Sequence, residues 1–315
     1  MTDSKPLRVA VLYGGKSSER EVSIAGGSQV MQSLDPVRYQ VTGYDLRDDL
    51  PRLVAEAAQI DVALIVLHGR YGEDGTVQGL LELLHIPYQG SGVLGSALAM
   101  NKRFTKLIYR QAGLPVARDR LLFRGERYDP EVLVQELGWP MVVKPNQEGS
   151  SVGITVAHEE EQLRAGLAKA FDLDAEVLLE EYLEGREITC GVLGNIELQA
   201  LPLVEIIPSE QFIFFDFEAK YQEGGSEEIC PADLDPEITR RAQDYGVRAH
   251  RALGLRGYSR TDMIVRGEEI FLLETNTIPG MTQTSLLPLA ARAAGMDFSA
   301  LLDRLISLAL EAALK

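Results

Sequence analysis

Residues Tyr258–Asn276, YSRTDMIVRGEEIFLLETN, contain two apolar runs in which polar and apolar residues partly alternate. This pattern is typical of two neighbouring antiparallel strands. We expect residues 267–269, Gly-Glu-Glu, to form a three-residue hairpin loop, which fixes the register of the pair. Alternate residues of a strand share a face, so four polar side chains should converge on one side of the sheet. The predicted pairs are Asp262 opposite Glu274, and Arg260 opposite Asn276.

Two carboxylates and an amide oxygen at this range repel unless a cation lies between them, and oxygen-only ligands suit Mg²⁺ or Mn²⁺. The predicted metal ligands are Asp262, Glu274 and Asn276. The alternative is an exposed polar face of an ordinary antiparallel sheet. We favour the metal site because the intervening apolar residues should bury the opposite face and fix the register. These residues are Met263, Ile264, Leu272 and Leu273.

A second motif, VVKPNQEGSSVG at residues 142–153, follows a strand-like run that ends at Lys144. Its glycines and serines can present several backbone N–H groups to a polyphosphate. The same residues match the G-x-S-x-G nucleophile elbow, with Ser151 as the nucleophile of a serine hydrolase. That elbow requires a helix after the serine, whereas Ile154–Val156 is strand-like. We therefore favour a phosphate-binding loop.

Two further segments could complete a nucleotide site. At the acidic strand end around Glu180 and Glu187, the first carboxylate could accept from the exocyclic amine of a purine and the second from ribose hydroxyls. An ordinary acidic loop is an equally good interpretation. The aromatic stretch 212–221, FIFFDFEAKY, lies between Pro-Ser and Gly-Gly. This punctuation predicts a lid that carries Lys220 and Tyr221 over a site.

The N-terminal third has the rhythm of a parallel α/β unit. Apolar strands are predicted at Leu7–Tyr13 and Asp61–Leu67, and each precedes a helical pattern. This predicts a doubly wound sheet, whose ligands would bind beyond the carboxyl ends of the strands, near Glu19 and His68. The turn at residues 14–17, GGKS, lacks the upstream glycine of a Walker A loop.

From about Ser96 the pattern becomes richer in short strands, which gives an α/β chain with an α+β C-terminal part. Expected strands include Val152–Val156 and Gln199–Ile207, and a helix should span Phe298–Leu314 with Asp297 as its cap. We expect three domains: residues 1–95, residues 96–185 and residues 186–315.

Charge and cysteine content exclude several classes of protein. Among 315 residues, 31 Lys and Arg stand against 47 Asp and Glu, a net charge of −16, so nucleic acid and anionic membrane surfaces are not expected partners. Cys190 and Cys230 lack the spacing of a metal site or a disulfide framework, which favours reduced thiols in the cytoplasm. Neither a leader peptide nor a membrane-spanning stretch is expected.

These segments occur in the order found in the ATP-grasp ligases, and the chain resembles the D-alanine–D-alanine ligase family over almost its whole length. The motifs that carry the resemblance are LYGGKSSEREVS, LHGRYGEDGTVQG, KPNQEGSSVG, LEEYLEGRE, FDFEAKY, GYSRTDM and LETNTIPGMTQTSL. The resemblance implies a three-domain ATP-grasp architecture. It also implies a cytoplasmic homodimer that joins two D-alanines with ATP and two Mg²⁺ or Mn²⁺ ions, for peptidoglycan precursor synthesis.

The resemblance also implies roles for individual residues. ATP should lie between the central and C-terminal domains, in contact with Lys102, Lys144, Ser151, Glu180, Tyr182, Leu183, Glu187 and Lys220. Glu19, Ser150 and Tyr221 match the network at the first D-alanine, with His68 near the substrates. Arg260 and the backbone of Gly280 match groups that stabilise the tetrahedral intermediate, and Ser285 and Leu286 match positions around the second D-alanine. Asp262, Glu274 and Asn276 match the family's metal ligands.

Three alternatives remain open on the sequence. A ligase of this class could use another acceptor, such as D-lactate or D-serine, although Tyr221 favours an amine. A nucleotide-binding sensor could keep the fold without turnover. The serine hydrolase, which needs no ATP, is the third.

Overall fold

The computed structural model describes residues 5–17, 19–149, 152–209 and 225–313. Its N-terminal sheet is parallel and has the strand order β2-β1-β3, formed by β1 (Leu7–Tyr13), β2 (Tyr39–Asp45) and β3 (Val62–Ile65). The helices of this region are α1 (Arg20–Ser33), α2 (Leu50–Glu56) and α3 (Thr76–Leu83), with a 3₁₀ turn at Ala57–Gln59.

Strand β1 is buried on both faces. Val9 and Val11 pack into one core with α1 and with α10 (Phe298–Ala313), while Ala10 and Leu12 pack into another with α2 and α3. Helices therefore cover both faces of the sheet, as the doubly wound prediction requires. The predicted cap of α10 is also confirmed, because the backbone N–H of Ala300 donates to Asp297 Oδ1 at 2.8 Å.

Two helices, α4 (Val93–Met100) and α5 (Lys102–Gln111), precede the central sheet. Asn101 caps α5, since its side chain accepts a hydrogen bond from the backbone N–H of Phe104 at 3.1 Å. Three side chains at helical spacing, Lys102, Lys106 and Tyr109, lie on the buried face of α5. The buried face of α5 therefore carries two ammonium groups and one phenol hydroxyl.

The central sheet is antiparallel and has the order β4-β7-β5-β6. It contains β4 (Asp119–Phe123), β5 (Met141–Pro145), β6 (Thr155–Ala157) and β7 (Glu176–Glu181), with helices α6 (Pro130–Leu137) and α7 (Glu160–Leu173). The predicted strand at Val152–Val156 starts later, at Thr155, because Val152 and Gly153 form a turn. A turn and a strand after the serine motif, rather than a helix, argue against a nucleophile elbow.

The C-terminal sheet has the order β11-β10-β8-β12-β13, and β9 pairs with β8. Its strands are β8 (Arg186–Gly194), β9 (Gln199–Ala200), β10 (Val204–Pro208), β11 (Ser226–Ile229), β12 (Gly257–Arg266) and β13 (Glu269–Asn276). Its helices are α8 (Pro236–Ala252) and α9 (Leu286–Ala293). The strand predicted at Gln199–Ile207 is two strands, separated at Leu201–Leu203, where Pro202 has no N–H to donate.

The predicted hairpin register is confirmed, although its expected cause is wrong. Asp262 pairs with Glu274 and Arg260 pairs with Asn276, but Arg266 pairs with Glu269, so the turn has two residues rather than three. A bulge between Asp262 and Met263 adds the residue that the turn lacks. The bulge therefore places the two carboxylates directly opposite each other.

Strand alternation, which puts Ile264 on the face of Asp262, and the bulge at Leu273 together decide which apolar residues face the core. Met263 and Leu272 are buried in the core beneath the sheet, as predicted. Ile264 and Leu273, expected on that same face, instead line a cavity beside Asp262 and Glu274. The apolar residues of the hairpin thus serve both the core and the cavity wall.

Within the described ranges, no helix combines the length and apolar character needed to cross a membrane. Cys190 and Cys230 are free thiols, and Cys190 is buried. Burial raises the pKa of Cys190 to about 12, which makes its thiol unreactive.

Candidate active site

Two cavities adjoin the polar face of the β12–β13 hairpin. The first, here called the inter-sheet cavity, has a volume of about 430 Å³ and lies between the central and C-terminal sheets. The second, here called the N-terminal cavity, has a volume of about 480 Å³ and is lined by residues of the N-terminal region and of the segment after β13. Asp262 and Glu274 line the first, whereas Arg260 and Asn276 line the second. The hairpin thus connects the two cavities.

The inter-sheet cavity brings together the described residues predicted to contact a nucleotide. They are Lys102, Lys144, Glu180, Tyr182, Leu183 and Glu187. They come from α5, from strands of both sheets and from the segment between β7 and β8. Apolar side chains such as Val142, Ile154 and Leu273 complete the walls. A cavity with both apolar walls and lysines can hold a base and its phosphates.

Glu180 lies at the back of this cavity and is only 4% exposed. Its Oε2 atom is 2.5 Å from Lys144 Nζ, and its Oε1 atom accepts a hydrogen bond from Lys106. Burial alone raises the pKa of Glu180, but the ammonium groups of Lys106 and Lys144 outweigh it and lower the value to about 2. Glu180 is therefore ionised and held between two lysines.

Lys106 is a residue that the sequence analysis missed. Its side chain is 1% exposed, and burial lowers its pKa to about 8 against the opposing effect of Glu180. Its Nζ atom is also 3.5 Å from Asp119 Oδ1, and Asp119 pairs with Arg110. The sequence feature that could have identified Lys106 is its position one turn after Lys102, on the same face of an amphipathic helix.

Lys102 connects the phosphate-loop motif with the hairpin. Its Nζ atom donates to the backbone carbonyl of Glu148 at 2.6 Å and lies 3.3 Å from Glu274 Oε2. The side chain is nearly buried yet still lines the cavity. A single ammonium group thus faces both the loop and a predicted metal ligand.

Asp262 accepts hydrogen bonds from three neighbours. Arg260 donates to both of its oxygens at 2.9 Å, Thr189 Oγ1 lies 2.6 Å from Oδ1, and Asn276 Nδ2 lies 3.0 Å from Oδ2. Arg260 and Asp262 thus form a bidentate pair on one strand. The pair offsets part of the repulsion between the carboxylates of Asp262 and Glu274.

The residues at this position fit a hard cation. Two carboxylates in direct register and an amide oxygen are the donor types that Mg²⁺ and Mn²⁺ prefer. Asn276 presents its nitrogen to Asp262, and an amide flip would present its oxygen instead. Among the described residues, no group of three or more His, Cys, Asp or Glu side chains could hold a metal. A metal site here would use the amide oxygen of Asn276 as its third protein ligand.

The N-terminal cavity brings together the described residues predicted to contact the amino-acid substrates. They are Glu19, His68, Arg260, Gly280, Ser285 and Leu286. Glu19 is 5% exposed, and its carboxylate lies against Gly69 and Gly149. A Cβ atom at these glycines would lie 2.7 and 2.9 Å from Glu19 Oε2, so larger residues would displace the carboxylate.

Glu73, from the HGRYGEDG motif, is a second residue that the sequence analysis did not select. It accepts hydrogen bonds from the backbone N–H groups of Gly69 at 2.8 Å and Ile278 at 3.3 Å. Burial of its carboxyl group, together with the charge of Glu19, raises the pKa of Glu73 to about 8. Its position in an acidic glycine-rich turn was the sequence feature that could have identified it.

His68 is buried beside this acidic pair, and burial lowers its pKa to about 4. Its imidazole is therefore neutral near pH 7. Its Nε2 atom has no hydrogen-bond partner among the residues that the structure describes. A neutral ring with a buried ring nitrogen can donate to, or accept from, a bound molecule.

Ser285 and Leu286 stand at the start of α9. Ser285 is its N-terminal flanking residue, and its hydroxyl lies 2.7 Å from Thr282 Oγ1 and accepts from the backbone N–H of Thr282 at 3.1 Å. Gly280 packs closely against this serine. The first turn of a helix offers unpaired N–H groups to a carboxylate.

Four predicted site residues, Ser150, Ser151, Lys220 and Tyr221, lie outside the described residues. The same holds for the predicted lid at residues 212–221.

Two family models match the chain. The model described as the D-ala D-ala ligase C-terminus matches residues 108–307, and the model described as the D-ala D-ala ligase N-terminus matches residues 46–91. Together the two matches span segments of all three sheets.

Similar proteins extend over nearly the whole chain. D-alanine–D-alanine ligase of Syntrophobacter fumaroxidans is 59% identical over 98% of this chain and 99% of its own length. The ligase of Desulfotalea psychrophila is 56% identical over 97% of this chain and 95% of its own length. Among solved structures, the Bacillus anthracis D-alanine–D-alanine ligase complexed with ATP has a TM-score of 0.87 and 36% identity, over 98% of this chain and 99% of that one.

Proposed function

Since the chain belongs to the D-alanine–D-alanine ligase family, we infer that it is an ATP-dependent ligase that joins two D-alanines for cell-wall synthesis. The observation that carries this conclusion is 59% identity to a D-alanine–D-alanine ligase over the whole chain. The similar proteins give no support to D-lactate or D-serine as the acceptor, nor to a sensor or a serine hydrolase.

We propose that the inter-sheet cavity binds ATP. Glu180, with the backbone around Tyr182 and Leu183, would hold the adenine, and Glu187 would hold the ribose. Lys102 and Lys144 would face the phosphates, because both ammonium groups reach the cavity. Ser151 and Lys220 keep their predicted contacts with ATP as part of this proposal.

The N-terminal cavity would hold the amino acids. Glu19 would bind the ammonium group of the first D-alanine, together with Ser150 and Tyr221, and His68 would lie beside the substrates. The start of α9, at Ser285 and Leu286, would receive the carboxylate of the second D-alanine. This arrangement directs the first carboxylate towards the hairpin and thus towards the nucleotide.

The reaction would take place where the hairpin joins the cavities. A carboxylate oxygen of the first D-alanine attacks the γ-phosphorus of ATP, and the bond between this phosphorus and the β-phosphate oxygen breaks. The products of this step are ADP and an acyl phosphate of the first D-alanine. The amine of the second D-alanine then attacks the acyl carbon, and phosphate leaves as the peptide bond forms. Lys144 offsets charge on the phosphoryl group, while Arg260 and the backbone N–H of Gly280 stabilise the tetrahedral oxyanion.

Asp262, Glu274 and Asn276 would hold divalent metal, as Mg²⁺ or Mn²⁺, with two ions expected. Bound there, the metal would neutralise phosphate charge. Arg260 would keep Asp262 oriented through its bidentate pair.

We further propose domains at residues 1–95, 96–185 and 186–315. Each contains one of the three sheets, which supports these boundaries. A homodimer is proposed from the family resemblance. A cytoplasmic location agrees with two free thiols and with the use of ATP.

The proposed function is tested by ADP release from the purified protein with ATP and Mg²⁺. We expect release to require D-alanine, and D-alanyl-D-alanine to be the product by mass spectrometry. When D-lactate or D-serine is added in excess over limiting D-alanine, the mixed product should be less abundant than D-alanyl-D-alanine. A mixed product in excess of the dipeptide would contradict the assignment of the acceptor.

A further inference from the structure

Helix α5 carries a buried charge for which the proposed mechanism has no use. Lys106 is 1% exposed and, unlike Glu180 and Lys144, does not line the inter-sheet cavity, so its ammonium group lies away from the proposed nucleotide site. It nevertheless contacts Glu180, the carboxylate assigned to the adenine. The other groups close to Lys106 are Asp119, at 3.5 Å, and the charges of Lys144 and Arg110.

Glu180 has one lysine for each of its oxygens, and the two lysines differ in access. Lys144 lines the inter-sheet cavity and is 2.5 Å from Oε2, whereas Lys106 lies against Oε1 from the side of the protein interior. A nucleotide brings several negative charges into this cavity. Lys144 is the lysine that can turn towards them.

When Lys144 turns to the phosphates, Glu180 needs a remaining counter-ion. A buried carboxylate without one is costly and becomes protonated or reorients. A protonated Glu180 would carry a hydroxyl donor and only a neutral carbonyl acceptor, which is a weaker partner for an amine than a carboxylate. The site would then lose part of its complementarity to adenine.

We propose that Lys106 is a positioning residue for base recognition: it holds Glu180 as a fixed, charged acceptor for the exocyclic amine after Lys144 has moved to the phosphates. The inference rests on the proposed nucleotide site. It assigns a specificity role to a side chain that touches neither substrate.

Base preference tests this role directly. Inosine triphosphate carries a 6-oxo group where ATP carries the amine, so a charged Glu180 repels it and a neutral Glu180 can donate to it. We expect Lys106→Met to reduce the ratio of kcat/KM for ATP to that for inosine triphosphate by about tenfold or more, since hydrogen bonds to charged groups are involved. KM for ATP should rise while kcat at saturating ATP changes little.

Further variants separate this role from a general effect on folding. Tyr109→Phe perturbs the same helix face without touching Glu180 and should keep the wild-type base preference. Glu180→Gln should lose the preference, and adding Lys106→Met to it should cause little further loss. If a thermal melt shows that Lys106→Met is unfolded, two milder variants replace it. Lys106→Arg should keep the preference for ATP over inosine triphosphate, and Lys106→Gln should lose it.

The outcomes distinguish the two proposals. If the wild-type protein releases ADP without preferring ATP over inosine triphosphate, the assignment of Glu180 to the adenine is wrong. If the wild type prefers ATP and the Lys106 variants keep that preference, the role of Lys106 is overturned. A loss of stability with unchanged base preference would make Lys106 a structural residue only.

Discussion

The two cavities beside the hairpin treat their carboxylates in opposite ways. In the inter-sheet cavity, Glu180 and Glu274 are each within ion-pair distance of a lysine. In the N-terminal cavity, Glu19 and Glu73 lie close enough for one to raise the pKa of the other, and His68 beside them is uncharged. The first cavity offers cations that a polyphosphate can take over, and the second keeps negative charge for an ammonium group.

This difference explains how an acidic protein can bind an anionic nucleotide. The net charge of −16 does not describe the inter-sheet cavity, because lysines from α5 and β5 are concentrated there. Arg260 and Asp262 form the boundary, with one partner in each cavity.

Replacing the boundary arginine should have the largest effect. Arg260→Met would remove a donor to the tetrahedral intermediate and release Asp262, so we expect kcat to fall by about a thousandfold. Initial rates of dipeptide formation measure this loss. Arg266→Met, at the exposed end of the same strand, is the matched control and should keep nearly full activity. If Arg260→Met lowers kcat only slightly, Arg260 does not act in the chemical step.

Glu274→Gln should have the next largest effect. The substitution would keep an oxygen atom at the proposed metal site but remove its charge, and we expect phosphoryl transfer to fall about a hundredfold. D-alanine-dependent ADP release measures it, and higher Mg²⁺ should restore part of the rate. Glu269→Gln, at the exposed end of the same strand, is the control. Full ADP release by Glu274→Gln would contradict the metal assignment.

Glu73→Gln should change the pH dependence of stability. The folded-state pKa of Glu73 is raised to about 8, so between about pH 4.5 and 8 the folded protein binds more protons at this site than the unfolded chain. Stability from this site is therefore present at low pH and is lost as the pH rises. We expect the wild-type Tm, relative to that of Glu73→Gln, to decrease from pH 5 to pH 8.5.

The control for this comparison is Glu268→Gln, an equal change of charge in the exposed hairpin turn. Its Tm should follow the wild-type pH curve. Parallel curves for wild type and Glu73→Gln would show that Glu73 is ionised in the folded protein at neutral pH.

The smallest effect concerns the support behind the hairpin. Tyr109 OH lies 2.5 Å from Thr275 Oγ1, which lies 2.7 Å from Thr261 Oγ1, and all three side chains are buried. Tyr109→Phe should lower the free energy of unfolding by about 1–2 kcal/mol, because it leaves buried hydroxyls short of a partner. Urea denaturation measures this change.

A double variant tests the explanation. Tyr109→Phe combined with Thr275→Val should cost less than the sum of the two single changes, since the partners are removed together. Additive losses would show that the hydroxyls act independently. These contacts also give buried hydrogen-bond partners to the two threonines of the hairpin, Thr261 and Thr275.

Much of this arrangement could be predicted from local patterns. Alternation along β12 and β13, together with an assumed turn length, placed Asp262 opposite Glu274, and the glycine-rich turn drew attention to residues 145–149. The bulge could not be predicted, because a turn one residue shorter and a strand one residue longer give the same register at Asp262. That cancellation concealed the error in the expected turn.

The missed residues depend on contacts that are distant in sequence. Lys106 and Glu180 are 74 positions apart, and Glu73 and Ile278 are 205 positions apart. Nothing local to either residue indicates its partner, since a lysine on a helix is usually solvated. Such pairs become visible only when the sheets are packed together.

Helix α10 has a consequence for how the protein is made. Its leucines cover one face of the N-terminal sheet, and Tyr39 beside β1 donates a hydrogen bond to Asp303 at 2.7 Å. During translation the first strands leave the ribosome long before residues 298–313 do. Until then α1 covers that face only in part, so a nascent chain stalled before α10 should attract chaperones or proteases.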